Sequence, residues 1–332
     1  MPSLATFLVG MLVLWLAVNF VKSPSYFFTI SFIGLTNGAV YALVALGYTL
    51  VYGILELINF AHGDVFMLGG LFSGTMIISA FHLSANPSAG ILIAAILASL
   101  AVAMAACGII NVAVEIVAYR RLRGASRLAP LITAIGMSFI LENVAIGWKG
   151  PSYMSVPHIL PTGAVFSFAG VTYTWEKFII VLITVPVLVA LMWLVQHTRQ
   201  GKAMRATAQD RDAAAMMGID VNRTISFTFL IAGALAGAAG LLYALYFSEV
   251  RYDTGFQLGL IAFTAAVLGG IGNLPGAVLG ALCIGFIQAF NEGLRWHSPG
   301  SDWTQSLVFT ILILILVFRP EGLLGERTPE GA

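Results

Sequence analysis

Apolar residues fill the chain in ten runs separated by short polar stretches, near 4–21, 27–52, 64–82, 90–118, 129–148, 177–196, 224–247, 256–272, 275–292 and 304–318. A helix that crosses a bilayer needs about 20 mostly apolar residues. The pattern therefore predicts an all-α, polytopic integral membrane protein with about nine or ten transmembrane or half-spanning helices. Two runs are irregular: the second passes beyond Tyr52 into the polar stretch INFAHGD, and Gly272-Asn273-Leu274-Pro275-Gly276 parts the eighth from the ninth. A broken or re-entrant helix is predicted at each place, one in each half.

The charges orient these runs. Lys and Arg gather in two loops, Arg120, Arg121, Arg123 and Arg127 in one, and Arg199, Lys202, Arg205, Arg211 and Arg223 in the other. Positively charged loops stay on the cytoplasmic side, so both are expected there, with Arg319 and Arg327. The segment 149–176 then falls outside, since one run enters it and one leaves it. It carries Pro151, Pro157 and Pro161, then VFSFAGVTYTW, which reads as a hairpin around Ala169-Gly170. It is either a docking face for an external partner or a plain connection. Leu4 to Phe20 lacks the basic start and small-residue cleavage site of a signal peptide and reads as a retained first helix.

Composition narrows the class. Hydrophobic residues make up 59% of the 332 and charged residues 9%, with mean hydropathy +0.94, whereas a soluble domain carries about 25% charged residues. A single membrane domain over 1–332 is expected. A net charge of +1 without a basic stripe gives no case for nucleic acid. Cys107 and Cys283 sit within apolar runs at no metal-ligand spacing. There is no GxSxG, HExxH, CxxC or Walker-type phosphate loop. No catalytic residue, metal or cofactor is therefore assigned to this chain, and ATP-driven transport would need separate ATPase chains to bind ATP and magnesium.

Glu56-Leu57-Ile58-Asn59-Phe60-Ala61-His62-Gly63-Asp64 sets two carboxylates, an imidazole and an amide between two long apolar runs. Ionisable groups there are expensive in lipid and normally face a cavity or a partner. Asn59, His62, Gly63 and Asp64 are thus candidates to line a solute path. The plainer reading is an interfacial turn in which Asn59 and Asp64 cap helices. The glycine-rich stretch 263–276 supplies Gly269, Gly270 and Gly272 as a second candidate, a counterpart break with freed backbone groups near the bilayer midplane. The pairs Gly233/Gly237 and Gly276/Gly280 have the spacing of close helix packing. Glu115 is expected to pair with Arg120, and Glu292 with Arg295, near the surface. Glu142, beside Asn143, receives no role.

His197 to Arg223 contains TRQGKAMRATAQDRDAAAMMGID, a helix-prone stretch too polar to span, with Gly201 and Gly218 as expected stops. Asp212, Ala213 and Ala214 followed by Gly218 give a small-residue face that another protein can grip. The alternative is a solvated amphipathic helix on the membrane surface.

GLTNGAVYALVALGYTLVYGILELINFAHGDVFMLGG, RRLRGASRLAPLITAIGMSFILEN, RQGKAMRATAQDRDAAAMMGID and FTAAVLGGIGNLPGAVLGA resemble the branched-chain amino acid permease subunit of bacterial ABC importers, from about Ile33 to Gly325. The resemblance implies a multi-pass protein of the bacterial inner (cytoplasmic) membrane, surrounded by membrane lipid, that moves leucine, isoleucine and valine. It implies a second homologous permease, two ATP-binding cassette ATPases and a periplasmic solute-binding protein as partners. It also implies that Arg205, Asp212, Ala213, Ala214 and Gly218 belong to the EAA loop that couples to the ATPase, with Asp212 replacing the usual glutamate and the usual Leu-Pro ending missing. Similar permeases move urea, short amides or other amino acids. From other classes, an ion-coupled carrier would use Glu56, His62, Asp64 and Glu142 as a proton relay, and a membrane enzyme would use Asp64 and His62 as acid and base.

Overall fold

The computed structural model describes residues 2–83, 87–123, 125, 128–161, 163–168, 170–319 and 321–325. Arg127, Ala169 and Arg327 lie outside the described residues. Helices α1 (Pro2–Lys22), α2 (Pro24–Leu55), α3 (Ala61–Thr75), α4 (Ala89–Val114), α5 (Leu128–Lys149) and α6 (Trp175–His197) form the first half. Two short helices, α7 (Arg199–Gln209) and α8 (Arg211–Met216), precede α9 (Val221–Phe247), α10 (Thr254–Gly269), α11 (Leu274–Gly293) and α12 (Thr304–Phe318). One π-helical turn extends α3 to Ala80 and another, over Glu115–Tyr119, extends α4. Eight helical stretches are long and apolar enough to cross a membrane, and α10 and the Gly10–Lys22 part of α1 are shorter apolar helices. The ten correspond in order to the ten apolar runs.

At the centre, α2 packs along α11, α9 and α10, while α3 and α4 lie on α9. Small residues make these contacts close. Gly233 and Gly237 rest on the backbone of Cys107 and Ala103, and Gly276 and Gly280 on Gly269 and Ala265, so that a Cβ at any of the four would overlap main-chain atoms. Lipid tails are as apolar as leucine, so such packing, rather than expulsion from water, holds membrane helices together. α5, α6 and α12 leave Phe139, Val144, Val189, Ile313 and Leu316 exposed, an apolar belt suited to lipid.

The two ends of the bundle differ in chemistry. At one, Arg211 donates to the Ile54 carbonyl (2.9 Å) and Arg123 to Asn222 (2.6 Å). This is the basic face. At the other, β2 (Ala164–Phe168) and β3 (Val171–Thr174) pair as the antiparallel hairpin expected from sequence, and β1 (Met154–Ser155) pairs with β4 (Glu249–Val250). Tyr173 packs on Phe32 of α2, ring centroids 4.8 Å apart, and burial raises its phenol above the ordinary value. This is the hairpin face.

Three local expectations need correction. Gly201 is not a stop but lies in the first turn of α7, where its N–H donates to the capping Thr198 hydroxyl (3.0 Å) and its backbone presses on the Leu194 and Val195 carbonyls. Gly218, in the left-handed region at φ 84°, does end α8. Glu292 accepts from Gln288 (3.0 Å) and Thr304 (2.8 Å), while Arg295 lies over the Tyr26 ring at 4.4 Å instead. Glu115 does pair with Arg120 (2.7 Å), yet it is wholly buried rather than superficial, because Arg123 and Ser226 (2.8 Å) complete its shell.

Candidate functional site

The first interruption is re-entrant. α2 ends at Leu55, and Glu56 turns the chain in the left-handed region at φ 56°. Residues 56–59 have no regular structure and run back along α2. α3 therefore begins beside Gly47 and Tyr48, seven residues before the end of α2, which is about 10 Å at 1.5 Å per residue. The His62 and Tyr48 rings meet edge to face at 4.8 Å, and a Cβ on Gly47 would overlap the imidazole. On the other side Gly63 lies against Gly255 and Gly259 of α10, again with no room for a side chain. Glycines on three helices thus make the hole into which the polar segment fits.

Inside that hole the polar atoms are not matched. The Asn59 carbonyl oxygen accepts from the Tyr119 hydroxyl (2.7 Å), but its amide nitrogen has no partner among the described residues. Neither ring nitrogen of His62 and neither oxygen of Asp64 makes a bond of good geometry, although both residues are fully buried; the Val44 backbone lies near the imidazole and the Ser138 side chain near the carboxyl. A buried polar atom left unpaired costs about 1–3 kcal/mol, so groups kept in that condition call for an external partner. Tyr48, Phe60 and Phe263 supply aromatic walls. The adjoining cavity, bounded by Tyr48, Asn59, Phe263 and Ile271, measures about 10 Å³, roughly the space of one water. The arrangement offers a carboxylate for a cation, N–H donors for an anion and apolar surface between them, in a space too small for a solute.

The second interruption is built differently. α10 and α11 form an antiparallel hairpin whose turn, Gly270 to Asn273, lies beside Gly53 at the basic face. It is thus about two turns of α2 away from His62, so the two interruptions are not counterparts at one level. The reason is local satisfaction of the backbone. Asn273 caps α11 by accepting from Gly276 (2.9 Å) and donates to the Leu324 carbonyl (2.8 Å). Leu323 and Leu324 donate to the carbonyls of Leu268 (2.8 Å) and Gly269 (3.0 Å). Gly269 packs on Gly276 and Gly270 on Gly325, whereas Gly272 has open space before it. Gly272 lines a cavity of about 550 Å³ with Gly53, Gln196 and Arg205.

The segment 197–223 closes the basic face. Arg205 donates to the Val195 carbonyl. Asp210 starts α8 by accepting from the N–H groups of Asp212 and Ala213, both at 2.9 Å. Asp212 is exposed and Ala213 half-buried, but Ala214 is turned inward and buried, so that residue does not belong to the outer face expected from sequence. What projects instead is Met216 and Met217, 82% and 83% exposed. The sequence reading missed these two; a methionine pair before a terminal glycine in a polar stretch was the available signal. It also missed Tyr48, Tyr119 and Gly47, whose roles depend on contacts between distant segments. At the hairpin face Arg251 pairs with Asp253, which holds the guanidinium above its ordinary value, and lies over Tyr153 at 4.4 Å.

Comparison with known proteins places this architecture in a class. The family model described as branched-chain amino acid transport system / permease component matches residues 30–317. The high-affinity branched-chain amino acid transport system permease protein BraD of Pseudomonas aeruginosa is 40% identical over 302 residues, 90% of this chain and 95% of that one. The corresponding LivH of Escherichia coli K12 is 37% identical over 308 residues, 92% and 97% of the two chains. A probable branched-chain amino acid transport permease protein LivM of Methanocaldococcus jannaschii is 25% identical over 342 residues, 96% and 94%. The chain belongs to the branched-chain amino acid transport permease family and is a multi-pass membrane transport protein.

Proposed function

We propose that this chain is the permease subunit of an ATP-driven importer that carries leucine, isoleucine and valine across the bacterial inner membrane. The observation that carries the reading is the match to BraD and LivH over nine tenths of both chains. The basic face is then cytoplasmic. Met216 and Met217 on α8 form the seat for an ATP-binding cassette subunit, since exposed flexible thioethers suit a partner surface. Two such subunits bind ATP and magnesium, and a periplasmic solute-binding protein docks on the hairpin face. Likeness to a LivM as well as to LivH supports a second, homologous permease beside this one.

In this reading ATP-driven closure of the ATPases moves α8. Arg211 passes the movement to the Ile54 carbonyl and so to the start of the 56–60 run. Displacing that run opens the pocket. The solute's ammonium meets Asp64, its carboxylate meets the Asn59 amide and His62, and Tyr48, Phe60 and Phe263 receive the branched side chain. Gly63 lets the pocket backbone approach α10, Gly272 lines the cytoplasmic exit, and Gly269 and Gly270 hold the α10–α11 hairpin.

Affinity purification from native membrane tests this. The expected result is co-purification of a second permease and two ATPases, with ATP hydrolysis raised by binding protein loaded with leucine, isoleucine or valine. Stimulation by urea or a short amide instead would replace the solute. A chain that purifies alone, with uptake unaffected by ATPase-dead partners, would overturn the importer reading in favour of an ion-coupled carrier. Replacing Met216 and Met217 together by alanine is expected to cut ATPase recovery at least fivefold without lowering the melting temperature.

A further inference from the structure

Glu142 is the carboxylate in an apolar run to which the sequence gives no role outside the ion-coupled alternative. It lies on α5, half-buried, one helical turn beyond Ser138, and residues four apart share a helix face. That face meets α3. Asp64 lies close to Ser138 and interacts electrostatically with Glu142. The backbone of Gly255 closes the other side of Asp64: a Cβ there would stand 2.8 Å from its Oδ1. Two residues earlier, at the hairpin face, is Asp253, which interacts electrostatically with Glu142. Three elements thus link Asp253, Glu142 and Asp64, each interacting with the next, between the hairpin face and the buried pocket.

These carboxylates are not all neutralised. Asp253 is paired with Arg251. Glu142 and Asp64 have no cationic partner among the described residues, and Asp64 is fully buried with neither oxygen in a hydrogen bond of good geometry. Two neighbouring carboxylates in apolar surroundings repel one another and favour a positive charge brought between them. Among the described residues the acidic groups are not gathered closely enough to hold a metal ion. A primary ammonium suits the spacing better. It carries one positive charge and three N–H donors, enough to reach a carboxylate on each side and a hydroxyl between.

We infer that Glu142 and Asp64 form a binding site for a primary ammonium on an apolar branched chain, and that Glu142 is a specificity-determining residue that admits the solute ammonium-first. The inference rests on the importer reading and adds a residue and a selection rule to it. Glu142, on the rim, is met before Asp64. A carboxylate approaching alone is repelled by the same groups, so the solute is discriminated by its amine as well as by its side chain.

The test is leucine uptake into proteoliposomes holding the complete transporter, driven by ATP and binding protein already loaded with leucine. Two competitors are added, 3-methylbutylammonium, which keeps the amine, and 4-methylpentanoate, which keeps the carboxylate. The wild type is expected to be inhibited by the first and not by the second. Glu142→Gln is expected to lose about tenfold in uptake together with the inhibition, and Glu142→Asp to retain both, all three melting within a few degrees of each other. Undiminished uptake by Glu142→Gln, or inhibition that persists in it, overturns the proposal. So does a loss confined to dependence on sodium or on a proton gradient, which would assign the site to a free ion. Absence of any ATP-dependent leucine uptake by the wild type would instead be a failure of the importer reading itself.

Discussion

The chain interrupts its apolar helices at Glu56–Phe60 and again at Gly270–Asn273, and the two interruptions use their polar groups in opposite ways. At the second, Asn273 donates to the Gly270 and Leu324 carbonyls and accepts from Gly276, while Leu323 and Leu324 donate to the carbonyls of Leu268 and Gly269, and the chain reverses in four residues. At the first, the chain travels back along α2 and carries Asn59, His62 and Asp64 to a place where five of their polar atoms have no hydrogen bond of good geometry among the described residues. Glycine, asparagine and a helix end are common to both. What separates them is whether the turn closes its own hydrogen bonds: a satisfied turn serves the scaffold, and an unsatisfied one has chemistry left to offer a passing solute.

Substitutions can break this contrast, beginning with the strongest. Asp64→Asn is expected to lower uptake about a hundredfold, equal to about 2.7 kcal/mol at 1.36 kcal/mol per tenfold. It should leave the melting temperature unchanged or higher, since it removes a buried acidic group that has no cationic partner among the described residues. Retained uptake would show that the first interruption is scaffold too. Gly47→Ala drives a methyl group into the His62 ring; about 1–3 kcal/mol of destabilisation and uptake reduced more than tenfold are expected in melting and transport assays. Asn273→Ala removes the α11 cap and one tie to Leu324. It should cost about 1–2 kcal/mol while uptake per folded molecule stays within twofold. A large loss of uptake there, with the fold intact, would erase the distinction.

Much of the scaffold was legible because lipid imposes it: ten apolar runs, two basic loops and a hairpin between prolines leave few alternatives. The polar segment INFAHGD stood out for the same reason, as a set of groups lipid would not tolerate. Its position did not. Nothing near His62 in sequence says that Gly47, fifteen residues earlier, opens space for its ring, or that Tyr119 reaches Asn59. Neighbours in sequence also misled. Arg295 is three residues from Glu292 yet lies over Tyr26, because Gln288 and Thr304 already satisfy the carboxylate. Gly201 looked like a helix breaker and is a contact point, and Ala214 looked outward-facing and is not. Local patterns report what a residue tolerates, and its partners are set by folding.

α2 is 32 residues long, about 48 Å at 1.5 Å per residue, against a hydrocarbon core of about 30 Å. Its first part carries Phe32 against the hairpin and its last turn holds Arg211 through Ile54. Between them Gly47 and Tyr48 bound the buried pocket. One unbroken strut therefore touches both surfaces and the chamber. Such a member joins the Ile54 carbonyl that Arg211 holds to the Phe32–Tyr173 contact through one continuous helix. Under the proposed function, docking on one side of the membrane and nucleotide-driven motion on the other would be two pushes on the same beam.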